Sequence, residues 1–350
     1  MNTFGTHLSL TTFGESHGPA IGGILDGVPA GLDFDYALLR RDMQRRKPGQ
    51  SALTTPRSEE DEVEILSGVF EGRTLGTPIA FVIRNTDQRS ADYEAMKDVF
   101  RPGHADFVYE KKYGLRDYRG GGRSSARETA ARVAGGAIAR MLLFRRGISV
   151  QAYVSSVKDV TVPLPYTSLE LSLADSNPVR CPHPATAERM IKLIEQAREA
   201  KDSVGGIITC VAKGLPAGLG DPVFDKLNAR LADAMVSINA VKGFEMGDGF
   251  SATLRYGSEN NDSADTNHDG GVTGGISNGK DLWFRVGFKP VSTIGKPQST
   301  MNKQGEDVVL EATGRHDPCV LPRAVPIVEA MAALVIADAL LSPGYTAHMK

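Results

Sequence analysis

Cysteine is scarce in this 350-residue chain. Cys181, Cys210 and Cys319 lie far apart, which offers neither a zinc-ligand spacing nor an even-numbered disulfide framework. That usage fits a reducing, cytoplasmic setting. The N-terminus has no basic stretch followed by an apolar run, so no signal peptide is read there. A long hydrophobic run is missing too. The most apolar segment, residues 325–341, is too short for a membrane span and carries Glu329 and Asp338, so it reads as a buried helix. Neither sign of charge is in large excess, and a net charge of -2 argues against a general nucleic-acid binder. Solenoid-period repeats and low-complexity tracts are absent. What remains is ordinary globular composition, 41% hydrophobic and 23% charged, which excludes disorder and allows a full core.

Glycine, by contrast, is plentiful at 38 residues, which suits tight turns and backbone-lined sites. The chain is organised around residues 117–136, D-Y-R-G-G-G-R-S-S-A-R-E-T-A-A-R-V-A-G-G. Ser125 and Glu128 have the spacing of a capping box, and small or apolar residues then recur with helical period to Leu142, so a helix is predicted from here to about Arg146. A helix start exposes unpaired N–H groups and the positive end of the dipole. With Gly120, Gly121 and Gly122 before it, and Arg123, Ser124, Ser125 and Arg127 around it, this is either an anion site or a well-capped helix with exposed arginines. It spells neither a P-loop nor a complete G-x-G-x-x-G.

Upstream, residues 11–29 suggest strand, turn, strand, with G-E-S-H-G at residues 14–18. G-x-S-x-G can be a nucleophile elbow, but Pro19, Gly22 and Gly23 do not open a helix after Ser16. His17, flanked by glycines on a turn, is the candidate kept, against the plain reading of a structural histidine. Residues 34–47 read as a helix with a basic end, either favourable to the dipole or a lip for an anionic substrate. A loop spans residues 49–61, a lid in the functional reading; 59–64 reads as a solvated acidic face, and 63–84 as hairpin strands. Arg101-Pro102-Gly103-His104 is a rigid turn with an arginine and a second glycine-turn histidine, which invites general acid/base chemistry. Further on, the pattern predicts a strand within 148–162, a helix over 186–201 capped by Thr186, a strand over 205–213, a helix over 223–236 and a strand over 282–288. Residues 257–280 read as a functional or partly disordered loop, and Arg315 and Asp317 as a possible ion pair. Strands and helices come in groups, which favours α+β over a doubly wound sheet.

Taken together these blocks resemble the chorismate synthase family over essentially the whole chain. The resemblance rests on G-E-S-H-G at Gly14, R-P-G-H-A-D at Arg101, G-G-G-R-S-S-A-R-E-T-A at Gly120, S-I-N-A-V-K-G at Ser237, G-G-I-S-N-G at Gly274 and G-R-H-D-P-C at Gly314. It implies one domain over residues 1–350, a β-α-β sandwich of antiparallel sheets around a central helical layer, and a homotetramer. The implied reaction is an anti-1,4-elimination of phosphate from 5-enolpyruvylshikimate 3-phosphate to give chorismate, in the shikimate pathway, dependent on reduced FMN (FMNH2) with no net redox change.

By family position, Arg46, Arg101 and Arg127 would grip the substrate's anions. Arg123, Ser124, Ser125, Asn239, Ala240, Gly274, Lys289, Pro290, Val291, Ser292, Thr293 and Arg315 would form the flavin site. His17 would be the acid assisting phosphate departure, and His104 would protonate or hydrogen-bond the reduced flavin. Asp317 would help remove the ring proton by way of flavin N5. The family implies no metal. Many members carry an arginine, linked to NADP or substrate contact, where this chain has Ala52; Arg57 is the nearby substitute. The chain lacks the extra length of bifunctional relatives, which implies an external flavin reductase. Two other readings remain beside this one, a serine hydrolase built on Ser16 and a flavin- or phosphate-binding protein without turnover.

Overall fold

A computed structural model describes residues 1–50, 53, 60–86, 96–311 and 317–346. Two helices at its centre, Thr129–Arg145 and Leu321–Leu340, are buried on nearly every face. Side chains that are small or apolar all round make such helices possible, because no face then asks for water. A Cβ on Gly136 would stand 2.3 Å from that of Ala330, so the two backbones approach closely.

In chain order, strands β1 (Thr3–Phe4), β2 (Ser9–Phe13) and β3 (Ala20–Asp26) precede helix α1 (Tyr36–Arg46). Strands β4 (Val63–Ile65), β5 (Val69–Phe70), β6 (Arg73–Thr74) and β7 (Ile79–Arg84) follow, then α2 (Asp106–Tyr113) and α3 (Thr129–Arg145). The second half runs β8 (Ser149–Val157), β9 (Val160–Thr161), α4 (Pro184–Glu199), β10 (Gly206–Lys213), α5 (Leu227–Val236) and β11 (Val241–Met246). It closes with α6 (Gly257–Asn260), β12 (Val272–Thr273), β13 (Ile276–Ser277), β14 (Leu282–Phe288), β15 (Gln298–Met301), β16 (Asp307–Leu310) and α7 (Leu321–Leu340).

Two antiparallel five-stranded sheets, ordered β1-β2-β3-β7-β4 and β11-β14-β10-β8-β9, enclose the helices. Helix α3 packs on β2, β3 and β7 of the first sheet, while α7 packs on β8 and β10 of the second. This is an α+β fold with a helical layer between two antiparallel sheets. Apolar residues from Leu8 to Leu340 form one contiguous buried cluster. All three cysteines are free and buried in the described structure. No helix among the described residues is long and apolar enough to cross a membrane.

The two acidic residues of α7 fasten the layers. Glu329 accepts from Arg45 of α1 (3.0 Å), Arg140 of α3 (3.5 Å) and the Ala152 amide of β8 (2.9 Å). Burial alone would raise its carboxyl, but Arg45 and Arg140 hold it below the usual range. Asp42, beside Arg140, is pushed up by burial. Asp338 accepts from the His7 and Leu8 amides at 2.6 and 2.8 Å and from Arg230 at 2.9 Å, which pins the β1–β2 turn.

Strand β14 covers the expected residues, with strict alternation of buried and half-buried positions. Other boundaries differ. Ser125 caps a 3-10 turn, Ala126–Glu128, by accepting from the Arg127 amide, and the α-helix begins only at Thr129. Helix α4 starts at Pro184 rather than Thr186, because proline at the first position has its backbone preset for a helix. Helix α5 starts at Leu227, whose amide is bonded to Gly275 O (2.8 Å). Residues 257–280, expected as a loop, hold the short helix α6 and the β12–β13 hairpin with a bonded turn between them: Asp262 accepts from the His268 and Asp269 amides, and Lys280 donates to Thr266 O.

Candidate active site

The glycine run is shaped by what lies against it. Gly120, Gly121 and Gly122 all have positive φ, which residues with side chains rarely adopt. A Cβ on Gly120 would stand 2.1 Å from His17 Cε1, and one on Gly121 would stand 3.4 Å from Arg101 Nη2. The backbone here is therefore the floor on which a histidine and an arginine rest.

His17 sits in the turn between β2 and β3, closed by the Gly18 amide donating to Glu15 O at 3.1 Å. Ser16 and His17 are both buried, and Ser16 Oγ lies 3.1 Å from His17 Nδ1. Because β3 and not a helix follows, this G-x-S-x-G is no nucleophile elbow. Asn85, just past β7, donates to Glu15 O (3.2 Å) and Gly18 O (2.8 Å) and accepts from Arg127 Nε (2.8 Å).

Arg101 is buried and gripped in bidentate fashion by Asp106, with Nε and Nη2 contacts both at 2.8 Å. Burial opposes the Asp106 charge, yet Arg101 and Arg116 keep its carboxyl below the usual range. Gly103 lies against Ser292, and Lys289 Nζ reaches both Gly103 O (3.0 Å) and Ser292 Oγ (2.6 Å). His104 Nε2 is 2.6 Å from Thr293 Oγ1. Val291 O accepts from Ser203, and Pro290 lies against Gly205. The Lys289 amide donates to Ala240 O (2.9 Å), Asn239 Nδ2 donates to Ser124 O (3.0 Å), and Arg123 donates to Thr12 Oγ1 (2.7 Å). Contacts thus run from the His17 turn through the glycine run, Ser124, Asn239, Ala240 and Lys289 to the His104 turn, and back by Arg101.

Next to this ring lies the second arginine group. Arg46, the last residue of α1, is buried and donates to Asp61 (2.8 Å) and Ala126 O (2.9 Å). Arg127 is paired with the same Asp61 carboxylate. Burial, opposed by Asp61 and reinforced by Arg323 and Arg127, brings Arg46 down to about 10, so it stays charged near neutrality. Asp61 feels burial in the other direction, but the two guanidiniums hold it low. Asp317 accepts from Arg323 at 2.6 Å, and Arg323 also reaches Arg46 O at 3.4 Å, which sets Asp317 near this group.

Not every expected residue joins the site. Gly274 lies at the β12–β13 turn, and the described contacts of that turn run to Asp221, Lys226 and Leu227. Arg315, Ala52, Arg57 and most of the expected lid lie outside the described residues. The basic end of α1 divides: Arg40 and Arg41 are exposed, whereas Arg45 enters the Glu329 cluster. The acidic face expected at 59–64 needs correction at Asp61, which is buried between two guanidiniums. An S-E-E-D-E-V-E run has the composition of a solvated segment, so only the arginines' need for a counter-charge could have singled it out. Asp106 and Asn85 were also missed, although Asp106 stands inside the R-P-G-H-A-D block.

A cavity of about 330 Å³ opens beside the glycine run, lined in part by Glu15, Asp106, Tyr109, Gly121, Arg123 and Ser124. Asn239, whose Nδ2 donates to Ser124 O, has its Oδ1 buried without a hydrogen-bond partner among the described residues. A buried orphan acceptor of this kind fits a ligand N–H or O–H. With the glycines and the Arg123 and Lys289 charges, the residues present suit a polar, anionic cofactor.

The fold and this arginine-rich, histidine-bearing site match one class of enzyme. The chorismate synthase family model matches residues 8–341. A chorismate synthase of Parabacteroides distasonis is 57% identical, covering 97% of this chain and 98% of its own length. One of Cytophaga hutchinsonii is 55% identical, covering 96% of each chain. A crystal structure of chorismate synthase superposes with a TM-score of 0.76 at 32% identity, covering 96% of this chain and 92% of that one. These relatives are enzymes that make chorismate, in the shikimate pathway. The chain belongs to the chorismate synthase family.

Proposed function

We propose that this enzyme converts 5-enolpyruvylshikimate 3-phosphate to chorismate and inorganic phosphate by anti-1,4-elimination, with reduced FMN bound beside the substrate. The observation that carries the reading is the ring of contacts that joins four motif blocks and the 289–293 turn, far apart in sequence, from His17 and the glycine run to His104 and Thr293. In the reaction a ring C–H bond and the C–O bond to phosphate both break, the electron pair moves through the ring, and phosphate leaves with the pair from its C–O bond. Arg46, Arg101 and Arg127 supply charge for the phosphate and two carboxylates. His17, fixed by Ser16 at Nδ1 and by Gly120 beneath the ring, holds the proton for the departing phosphate.

Arg123, Ser124, Ser125, Asn239, Ala240 and the 289–293 turn are the residues proposed to hold FMN, with Gly274 and Arg315 as further contacts implied by the family. Reduced flavin supplies electron density to the substrate during elimination and is unchanged overall. His104, held by Thr293, would protonate or hydrogen-bond that cofactor. Asp317 is the proposed proton acceptor, near the Arg46 group. The contiguous core supports one functional unit over residues 1–350. Homotetrameric assembly, a cytoplasmic location and an external flavin reductase belong to the same proposal; three buried free thiols support the location.

The test is phosphate release from 5-enolpyruvylshikimate 3-phosphate under strict anaerobiosis, with and without photoreduced FMN. Release only with reduced FMN, with chorismate absorbance rising in step, is expected. Release without flavin, or none at all from folded protein, sinks the reading. His17→Ala and His104→Ala should each lower the rate by about 10²–10⁴-fold. A loss below tenfold removes that histidine from its role.

A further inference from the structure

We infer that Asn85 is a positioning residue that locks the His17 turn to the Arg127 guanidinium, so that the proton donor and an anion-gripping group keep one fixed geometry. The inference rests on the reading above for what His17 and Arg127 do, and it adds a residue to which no role has been assigned.

The side-chain amide of Asn85 is used from every side. Its Nδ2 donates both hydrogens to carbonyls at the two ends of the histidine turn, Glu15 O at 3.2 Å and Gly18 O at 2.8 Å. Its Oδ1 accepts from Arg127 Nε at 2.8 Å. Its own amide N–H donates to Pro19 O at 3.2 Å, and the preceding Arg84 O accepts from Arg127 Nη2 at 3.3 Å. These partners fix the amide's orientation chemically. Turned over, it would set oxygen against two carbonyls and NH₂ against a guanidinium. Aspartate could keep the Arg127 contact but would lose both donors. Alanine would lose all three side-chain bonds and keep only the backbone N–H to Pro19 O.

Position in the fold explains why this residue can couple the two groups. Asn85 directly follows Arg84, which pairs with Ala20 where β7 meets β3, at the end where the histidine turn enters the sheet. The end of an interior strand, paired on both sides, therefore carries the amide, and the amide carries two groups from different segments. A hydrogen bond to a charged group is worth about 10–100-fold in an equilibrium or rate.

The experiment is a pair of double-mutant cycles, Asn85→Ala alone and combined with Arg127→Ala or His17→Ala, each read as kcat and KM and as calorimetric affinity for 5-enolpyruvylshikimate 3-phosphate. Asn85→Ala alone should raise KM about tenfold and lower kcat about tenfold. In the Arg127→Ala background the effect on KM should vanish; in the His17→Ala background the effect on kcat should vanish. The pH profile of kcat should shift in Asn85→Ala on the limb that His17→Ala abolishes, which a purely structural role would not produce. Effects that simply add in both cycles, or wild-type kinetics in Asn85→Ala, overturn the inference.

Should Asn85→Ala fail to fold, Asn85→Asp is read in its place. Its coupling to His17 should persist, and a kcat within twofold of wild type overturns the inference. A wild-type protein that binds the substrate but makes no chorismate would sink the functional reading alone. The Arg127 cycle is then still read from affinity, where additivity overturns the inference.

Discussion

Arg45 and Arg46 are neighbours on one helix, yet they end in two different charge clusters. Around Arg45, the three carboxylates Glu329, Asp42 and Asp175 meet the guanidiniums of Arg45, Arg140 and Arg180, with the exposed Arg41 at the rim. Around Arg46, among the described residues, the Asp61 carboxylate serves two guanidiniums, with Arg323 and its partner Asp317 close by. The first cluster is built mostly from helices of the central layer. The second takes its carboxylate from a residue between helix α1 and strand β4, with the left-handed φ of 52° that a non-glycine residue seldom adopts. Ample counter-charge on helices ties layers together. Concentrated positive charge, held by a loop carboxylate, suits the proposed substrate, which carries a phosphate and two carboxylates.

The strongest way to break this contrast is to neutralise Asp61. Asp61→Asn leaves two buried guanidiniums with neutral acceptors only from that residue, and stability should fall by about 3–5 kcal/mol in urea melts. Adding 5-enolpyruvylshikimate 3-phosphate should raise the melting temperature of this variant more than that of wild type. An equal or smaller shift would mean that the cluster does not meet the substrate. Glu329→Gln should cost less, about 1–3 kcal/mol, because Asp42 and Asp175 remain and the Ala152 amide keeps an acceptor. It should leave KM unchanged, since Arg45 does not join the site. A tenfold rise in KM would erase the distinction.

Acid sharpens the comparison more gently. Asp61 and Glu329 titrate lower in the fold than in the unfolded chain. Their stabilisation is therefore present above about pH 4 and is lost as pH falls through the folded values. Asp42 is raised, so its protonation favours the folded state and offsets part of the loss on the Arg45 side. Urea midpoints should drop below about pH 4 in wild type, and by less in Asp61→Asn. An identical drop in the two would show that Asp61 is not the sensitive group.

Much of this was legible in the chain. The motif blocks at Gly14, Arg101, Gly120 and Ser237, with the 289–293 turn, are in fact one neighbourhood, because their glycines and small residues let backbones meet. Strand β14 and helix α1 followed from period and punctuation alone. Asp61 did not, since a buried carboxylate and a solvated one have the same local sequence. Nor did Asn85, whose importance comes from three partners more than forty residues away or on another strand connection. The late start of α3 was hidden because a serine cap serves a 3-10 turn as well as an α-helix.

The buried cysteines have one more use. Cys181, Cys210 and Cys319 have no exposed surface, and burial pushes every thiol up, that of Cys319 to about 12. In the native protein they are both shielded and protonated, so an alkylating reagent finds no thiolate. Cys210 lies mid-strand in β10, whereas the Cys319 backbone bridges Val204, just before that central strand begins. The chain thus carries its own opening clock: a pulse of iodoacetamide followed by peptide mass analysis reads fraying beside the start of β10 at Cys319 separately from rupture of the sheet at Cys210, with no engineered cysteine.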